Sequence, residues 1–177
     1  MEVKQNSLFN ILLADDDVDD HTFFKEALKD FPLSTHLTWV HDGEELMRRL
    51  TEENKELPHI LFLDLNMPRK NGFECLSEIK LNQKLKNLPI IIYSTSFHKV
   101  IADKLHKNGA NYYISKPSEI SELKIAVQKM ITLIMDENIA QPTIEDFVLT
   151  TERKNYKTQF WFSHFFRLPF VENYKQA

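Results

Sequence analysis

Five short apolar runs, at 8–14, 35–40, 59–63, 90–93 and 111–114, alternate with segments whose apolar residues recur every three or four positions, at 19–30, 44–53, 72–80, 99–107 and 119–135. The first set predicts strands and the second helices. Ile60-Leu61-Phe62-Leu63 and Ile90-Ile91-Ile92 barely alternate with polar residues, as strands covered on both faces do. The pattern therefore predicts five strand–helix units, (βα)5, with a parallel sheet flanked by helices. Punctuation supports these boundaries. Asp42-Gly43, Asn71-Gly72 and Asn108-Gly109 are turn or cap pairs that use all three glycines of the chain, and Pro58 and Pro89 stand just ahead of strands. In the first helix Phe23, Phe24, Ala27, Leu28 and Phe31 have the spacing of a core face.

From about residue 141 the pattern changes. Residues 142–177 hold nine of the twenty aromatics, including Phe147, Trp161, Phe165 and Phe166, so we expect a domain over 1–140 and an aromatic-rich C-terminal extension over 141–177. The chain has 177 residues, 42% hydrophobic and 27% charged, which suits one globular domain with an appendage. Its 22 Lys and Arg are scattered among 26 Asp and Glu, with no basic stripe for nucleic acid. No run approaches the ~18 apolar residues of a membrane span. Cys75 is the only cysteine, which excludes an internal disulfide and suits a reducing, cytoplasmic location.

Ligands of open parallel sheets bind beyond the carboxyl ends of the strands. There the sequence places Asp15-Asp16-Asp17 after the first strand, Asp64 after the third, Ser94-Thr95-Ser96 after the fourth and Lys116-Pro117 after the fifth. Clustered carboxylates repel one another unless a divalent cation neutralises them, and Mg2+, a hard ion with oxygen ligands, is the best candidate. Transfer of a phosphoryl group to a carboxylate needs a nucleophile, a metal, and further donors for the phosphoryl oxygens. Asp64 is suited to the first role, Asp15 and Asp16 to holding the metal, and Lys116 and Ser94 to the third.

Four segments then stand out together: Ile11 to Asp17 (ILLADDD), Leu61 to Pro68 with Asn71-Gly72-Phe73, Pro89 to Ser94, and Gly109 to Pro117. In this order and frame they resemble the receiver domain of two-component response regulators, over residues 8 to about 136. The Asn71-Gly72 turn and the Arg69-Lys70 loop resemble single-domain regulators that partner phytochrome-type and hybrid histidine kinases. The resemblance implies a doubly wound, flavodoxin-like α/β fold with strand order 2-1-3-4-5. It also implies a function: accepting a phosphoryl group on Asp64, with Mg2+, from a histidine kinase or histidine phosphotransfer protein. Signalling would follow through phosphorylation-dependent contacts with a downstream protein, with no enzymatic activity beyond the domain's own phosphorylation and dephosphorylation.

Residue by residue, Asp16 matches a direct metal ligand and Asp15 a ligand acting directly or through water. Asn66 matches the position whose backbone carbonyl completes the metal shell. Ser94 matches the switch hydroxyl, where threonine is commoner, and Tyr113 the switch aromatic. Lys116 matches the lysine that pairs with phosphoryl oxygens, and Pro117 the proline that follows it through a cis bond. Thr95 is bulkier than the usual residue beside the pocket.

Blander readings exist for each feature taken alone. Asp15-Asp16-Asp17 suits a helix cap, Ser94 a strand-end hydroxyl bonded to backbone, and Tyr113 simple strand packing. The seven histidines show no zinc spacing. A degenerate receiver acting as an adaptor is one alternative. A haloacid-dehalogenase-type phosphohydrolase is another, although position 66 is Asn where that chemistry needs an acid. In the last helix Ile120, Leu123, Val127, Met130 and Ile134 form the expected core stripe, leaving Ile125, Ile131, Leu133 and Met135 off it. The extension suits either folding back on its own domain as a further helix, or partner binding or homodimerisation; membrane association is the least supported.

Overall fold

The computed structural model describes residues 8–29, 33–53, 55–95, 97–135 and 141–149. The chain runs β1 (Phe9–Ala14), α1 (Val18–Leu28), β2 (Thr35–Val40), α2 (Gly43–Thr51), β3 (Ile60–Leu63), α3 (Gly72–Leu81), β4 (Ile90–Ser94), α4 (Lys99–Lys107), β5 (Tyr112–Ser115), α5 (Ile120–Met135) and β6 (Val148–Leu149). All five predicted strand–helix units are present, with bounds within two residues of the expected ones.

The sheet is parallel throughout, in the order β2-β1-β3-β4-β5-β6. Successive side chains on a strand point to opposite faces, and the core divides accordingly. Leu12, Leu61, Leu63, Ile90 and Ile92 face α2, α3 and α4, where Leu46, Leu50, Leu76, Ile79 and Leu105 meet them. Ile11, Leu13, Ile60, Phe62, Ile91 and Ile114 face α1 and α5, where Phe24, Ala27, Leu123, Val127 and Met130 cover them. This double burial is why the strands read as unbroken apolar runs. The helix starts are capped locally. Asp17 accepts from the Asp19 N–H, Asp42 from the Glu45 N–H, and Asn71 and Glu74 form a reciprocal capping box.

Two expectations change. Ile131 is fully buried and Leu133 packs against the same cluster, so the buried stripe of α5 is wider than its spacing suggested; Ile125 and Met135 remain exposed. The extension expected from 141 does not start there as a separate unit. Residues 141–149 return to the sheet, β6 pairs with β5, and the Tyr113 N–H donates to the Phe147 carbonyl at 2.9 Å. Phe147 is fully buried, its ring 5.1 Å from His106 and 6.5 Å from Tyr113. His106 Nε2 donates to the Pro142 carbonyl and Gln141 Nε2 to the Ala110 carbonyl. An open edge on β5 beside an apolar gap explains this return, because β6 satisfies backbone donors and Phe147 fills the gap. The rest of the extension, with Trp161, Phe165 and Phe166 and the further helix expected there, lies outside the described residues.

Candidate phosphoryl-acceptor site

The sheet aligns the ends of β1, β3, β4 and β5. The Asp15 N–H donates to the Val40 carbonyl, the Asp64 N–H to Ala14 and the Lys116 N–H to Ser94. These bonds extend the strand pairing one residue past each strand end and hold three charged residues side by side. Asp15, Asp16 and Asp64 each offer a carboxylate oxygen, and these oxygens lie within 4.8 Å of one another. Asp15 and Asp64 are buried and Asp16 is exposed. Two buried carboxylates, an exposed third and only oxygen donors fit a hard divalent cation open to solvent on one side.

Lys116 reaches into the cluster. Its Nζ stands 2.7 Å from Asp15 Oδ2, 2.6 Å from Asp20 Oδ2 and 3.8 Å from Asp64 Oδ1. Burial pushes the Asp15 carboxyl up to about 6, even though the Lys116 ammonium and the Asp17 N–H pull it back. Burial alone would lower the Lys116 pKa, but hydrogen bonds with Asp15 and Asp20 outweigh it and leave the ammonium above the ordinary lysine range. The Asn66 N–H donates to Asp64 Oδ2 at 3.0 Å, fixing one oxygen of the expected nucleophile. Asn66 itself is exposed at the rim.

Ser94, fully buried, ends β4, and Tyr113, also fully buried, lies on the neighbouring β5, opposite Ile92 and two positions back from Ser94. Burial raises the Tyr113 phenol, the Ser94 hydroxyl lowers it in part, and the charge of Asp64 raises it further. The Tyr113 ring packs edge-on against Phe97, 5.7 Å away, in the β4–α4 loop.

The sequence-predicted residues Asp15, Asp16, Asp64, Asn66, Ser94, Tyr113 and Lys116 thus fall at one end of the sheet. Pro117 follows Lys116, but the expectation of a cis bond is corrected: no cis peptide occurs among the described residues. A trans X–Pro bond is favoured by about 0.5–1 kcal/mol, and in this form Lys116 already reaches two carboxylates.

Sequence reasoning missed two neighbours. Asp20, in the first turn of α1, is a second counter-ion of Lys116 beside Asp15; its spacing after Asp16 was the available signal. Trp39 on β2 donates its indole N–H to the Asp15 carbonyl at 2.8 Å, and nothing local in the sequence announces that contact.

Comparison with known proteins agrees with this geometry. Residues 11–128 match the model of the response regulator receiver domain. The chain is 36% identical over 122 residues to the response regulator Rcp1 of Synechocystis sp., covering 67% of this chain and 83% of that protein. The crystal structure of the phosphorylated cyanobacterial phytochrome response regulator RcpA superposes with a TM-score of 0.67 at 30% identity, covering 74% of this chain and 96% of that one. The Mn2+-bound form of Rcp1 superposes with a TM-score of 0.65 at 31% identity, over 76% and 99% of the two chains. With its sheet order, acidic strand ends and these similarities, the chain belongs to the response regulator receiver domain family and is a phosphorelay signalling switch.

Proposed function

We propose that Asp64 is the phosphoryl acceptor of a Mg2+-dependent reaction with a phosphohistidine donor, carried by a histidine kinase or histidine phosphotransfer protein. The observation that carries this reading is the convergence of Asp15, Asp16 and Asp64, with carboxylate oxygens within 4.8 Å of one another and the Lys116 ammonium among them. A carboxylate oxygen of Asp64 attacks phosphorus as the P–N bond of the donor breaks and the imidazole departs. The Asn66 N–H holds the second oxygen and thereby orients the first. Mg2+ would be held by Asp15, Asp16, Asp64 and the Asn66 backbone carbonyl, and would supply charge neutralisation for the phosphoryl oxygens. Lys116 supplies a second positive charge, exchanging Asp20 for a phosphoryl oxygen.

Ser94 and Tyr113 form the switch: the hydroxyl donates to the phosphoryl group, and the tyrosine follows the space this opens. The output is a change at the α4–β5–α5 face read by a protein partner or a second copy of the chain. On this reading the chain catalyses nothing beyond its own phosphorylation and dephosphorylation, and it works in the cytoplasm. No helix among the described residues is long and apolar enough to cross a membrane. The part of the extension beyond 150 would be the contact arm.

Incubating the full chain with acetyl phosphate and Mg2+ should add one phosphate by intact mass. Asp64→Asn should add none, because the amide keeps the shape but is a far weaker nucleophile. Undiminished labelling of that variant would refute the assignment of the acceptor.

A further inference from the structure

The ladder between β1 and β2 pairs Leu13 with Trp39 and Ala14 with Val40, and its last bond runs from the Asp15 N–H to the Val40 carbonyl. At this point the chain leaves the sheet: Asp15 turns inward, Asp16 outward, and Asp17 caps α1. The Asp15 carbonyl lies past the end of the strand. Its partner is a side chain, the Trp39 indole N–H at 2.8 Å.

That carbonyl and the Asp16 N–H belong to one rigid peptide plane. Fixing the plane fixes where the Asp16 Cα sits relative to Asp15. The other two acids have anchors of their own: Asp15 is held by Lys116 and by the Asp17 N–H at 3.1 Å, and Asp64 by the Asn66 N–H. Asp16 is the exposed member of the trio, and its direction is set through its backbone.

The donor is itself held in place. The His21 ring stacks on the Trp39 indole at 4.0 Å and 6°, and His41 meets it edge-on at 4.0 Å and 77°. His21 comes from α1 and His41 from just past β2, so the indole is clamped from two elements before any ligand arrives. A side chain locked in this way lends its order to the group it bonds.

We infer that Trp39 is a positioning residue for the cation site, its indole N–H holding the Asp15–Asp16 peptide so that Asp16 is aimed at the ion shared with Asp15 and Asp64. The inference rests on the proposed reading of these three acids as a divalent-cation site. It assigns to β2, which contributes no ligand, a direct part in metal affinity. Tryptophan offers only a donor here, and phenylalanine retains a flat ring between the two imidazoles while deleting that donor.

The test is a calorimetric titration of the full chain and of Trp39→Phe with Mn2+, alongside urea unfolding of both in chelator. Residues that orient metal ligands typically cost 10–100-fold in affinity when lost, and one backbone bond at the rim of the site belongs at the lower end, about tenfold. The expected result is an Mn2+ Kd raised about tenfold, and a larger loss of affinity than any shift in the chelator unfolding midpoint accounts for. An Mn2+ Kd within twofold of the parent makes Trp39 a packing residue and overturns the inference while leaving the cation site intact. If the parent itself does not bind Mn2+, the site reading fails and the inference with it.

A second measurement needs no Trp39 variant. In 15N-labelled protein, with Trp161→Phe to assign the two indole signals, the Trp39 indole resonance should shift with added Mg2+ along the same isotherm as the backbone amide of Asp16. An indole resonance unmoved at saturating Mg2+ would overturn the inference.

Discussion

Asp15 is fully buried, and its carboxyl is raised from 3.8 to about 6. Without a cation this is a liability. The unfolded chain releases this proton near pH 4 but the native chain holds it to about pH 6, so between these values the native state binds more protons and stability falls as pH rises. A rise of this size corresponds to about 3 kcal/mol at pH 7, and that figure already includes the attraction of Lys116. Asp15→Asn imitates the protonated form at every pH. In EDTA at pH 7 the variant should therefore be more stable than the parent by up to about 3 kcal/mol in urea unfolding. The advantage should shrink steadily toward pH 4, where the parent carboxyl is protonated in the native state as well. Saturating Mg2+ should restore stability to the parent and do less for the variant, because the ion neutralises the charge that burial penalises. Parallel stability curves for the two proteins from pH 4 to 7 in EDTA would refute the reasoning, since they would mean that Asp15 does not titrate differently on folding.

Two further outcomes follow from close packing. A methyl group at Gly72 would stand 2.2 Å from the Asp64 carbonyl oxygen, so Gly72→Ala must move either α3 or the strand end carrying the nucleophile. Overpacking of this kind costs about 1–3 kcal/mol, and a 1 Å displacement of a reacting group slows reaction on the order of 100-fold; acetyl-phosphate labelling at the parental rate would show that the contact does not constrain Asp64. Phe147→Ala empties a fully buried site between His106 and Tyr113 and should cost about 3–5 kcal/mol in urea unfolding of the full chain. A cost below about 1 kcal/mol would mean that β6 is not part of the folded core.

The sequence by itself determined the layer architecture and named most residues of the candidate site. Apolar runs without alternation identify strands buried on both faces, three-to-four spacing identifies the helices between them, and a parallel sheet brings the residues after each strand to one end. Asp15, Asp16, Asp64, Ser94 and Lys116 were legible for that reason: each lies within two residues of the end of an apolar run, so topology alone gathers them. Tertiary structure decided what depends on contacts between residues far apart in the chain. Asn71-Gly72 reads as a cap, but glycine is needed there because the Asp64 carbonyl passes within a methyl radius. Residues 141–149 read as the start of an appendage, because a two-residue strand has no periodicity and the short apolar stretch Phe147-Val148-Leu149 has no visible partner in the sequence; the edge of β5 gives it one. Trp39 reads as one more aromatic in a strand. Only the register of β2 against β1 places its N–H on the Asp15 carbonyl, at the turn out of β1.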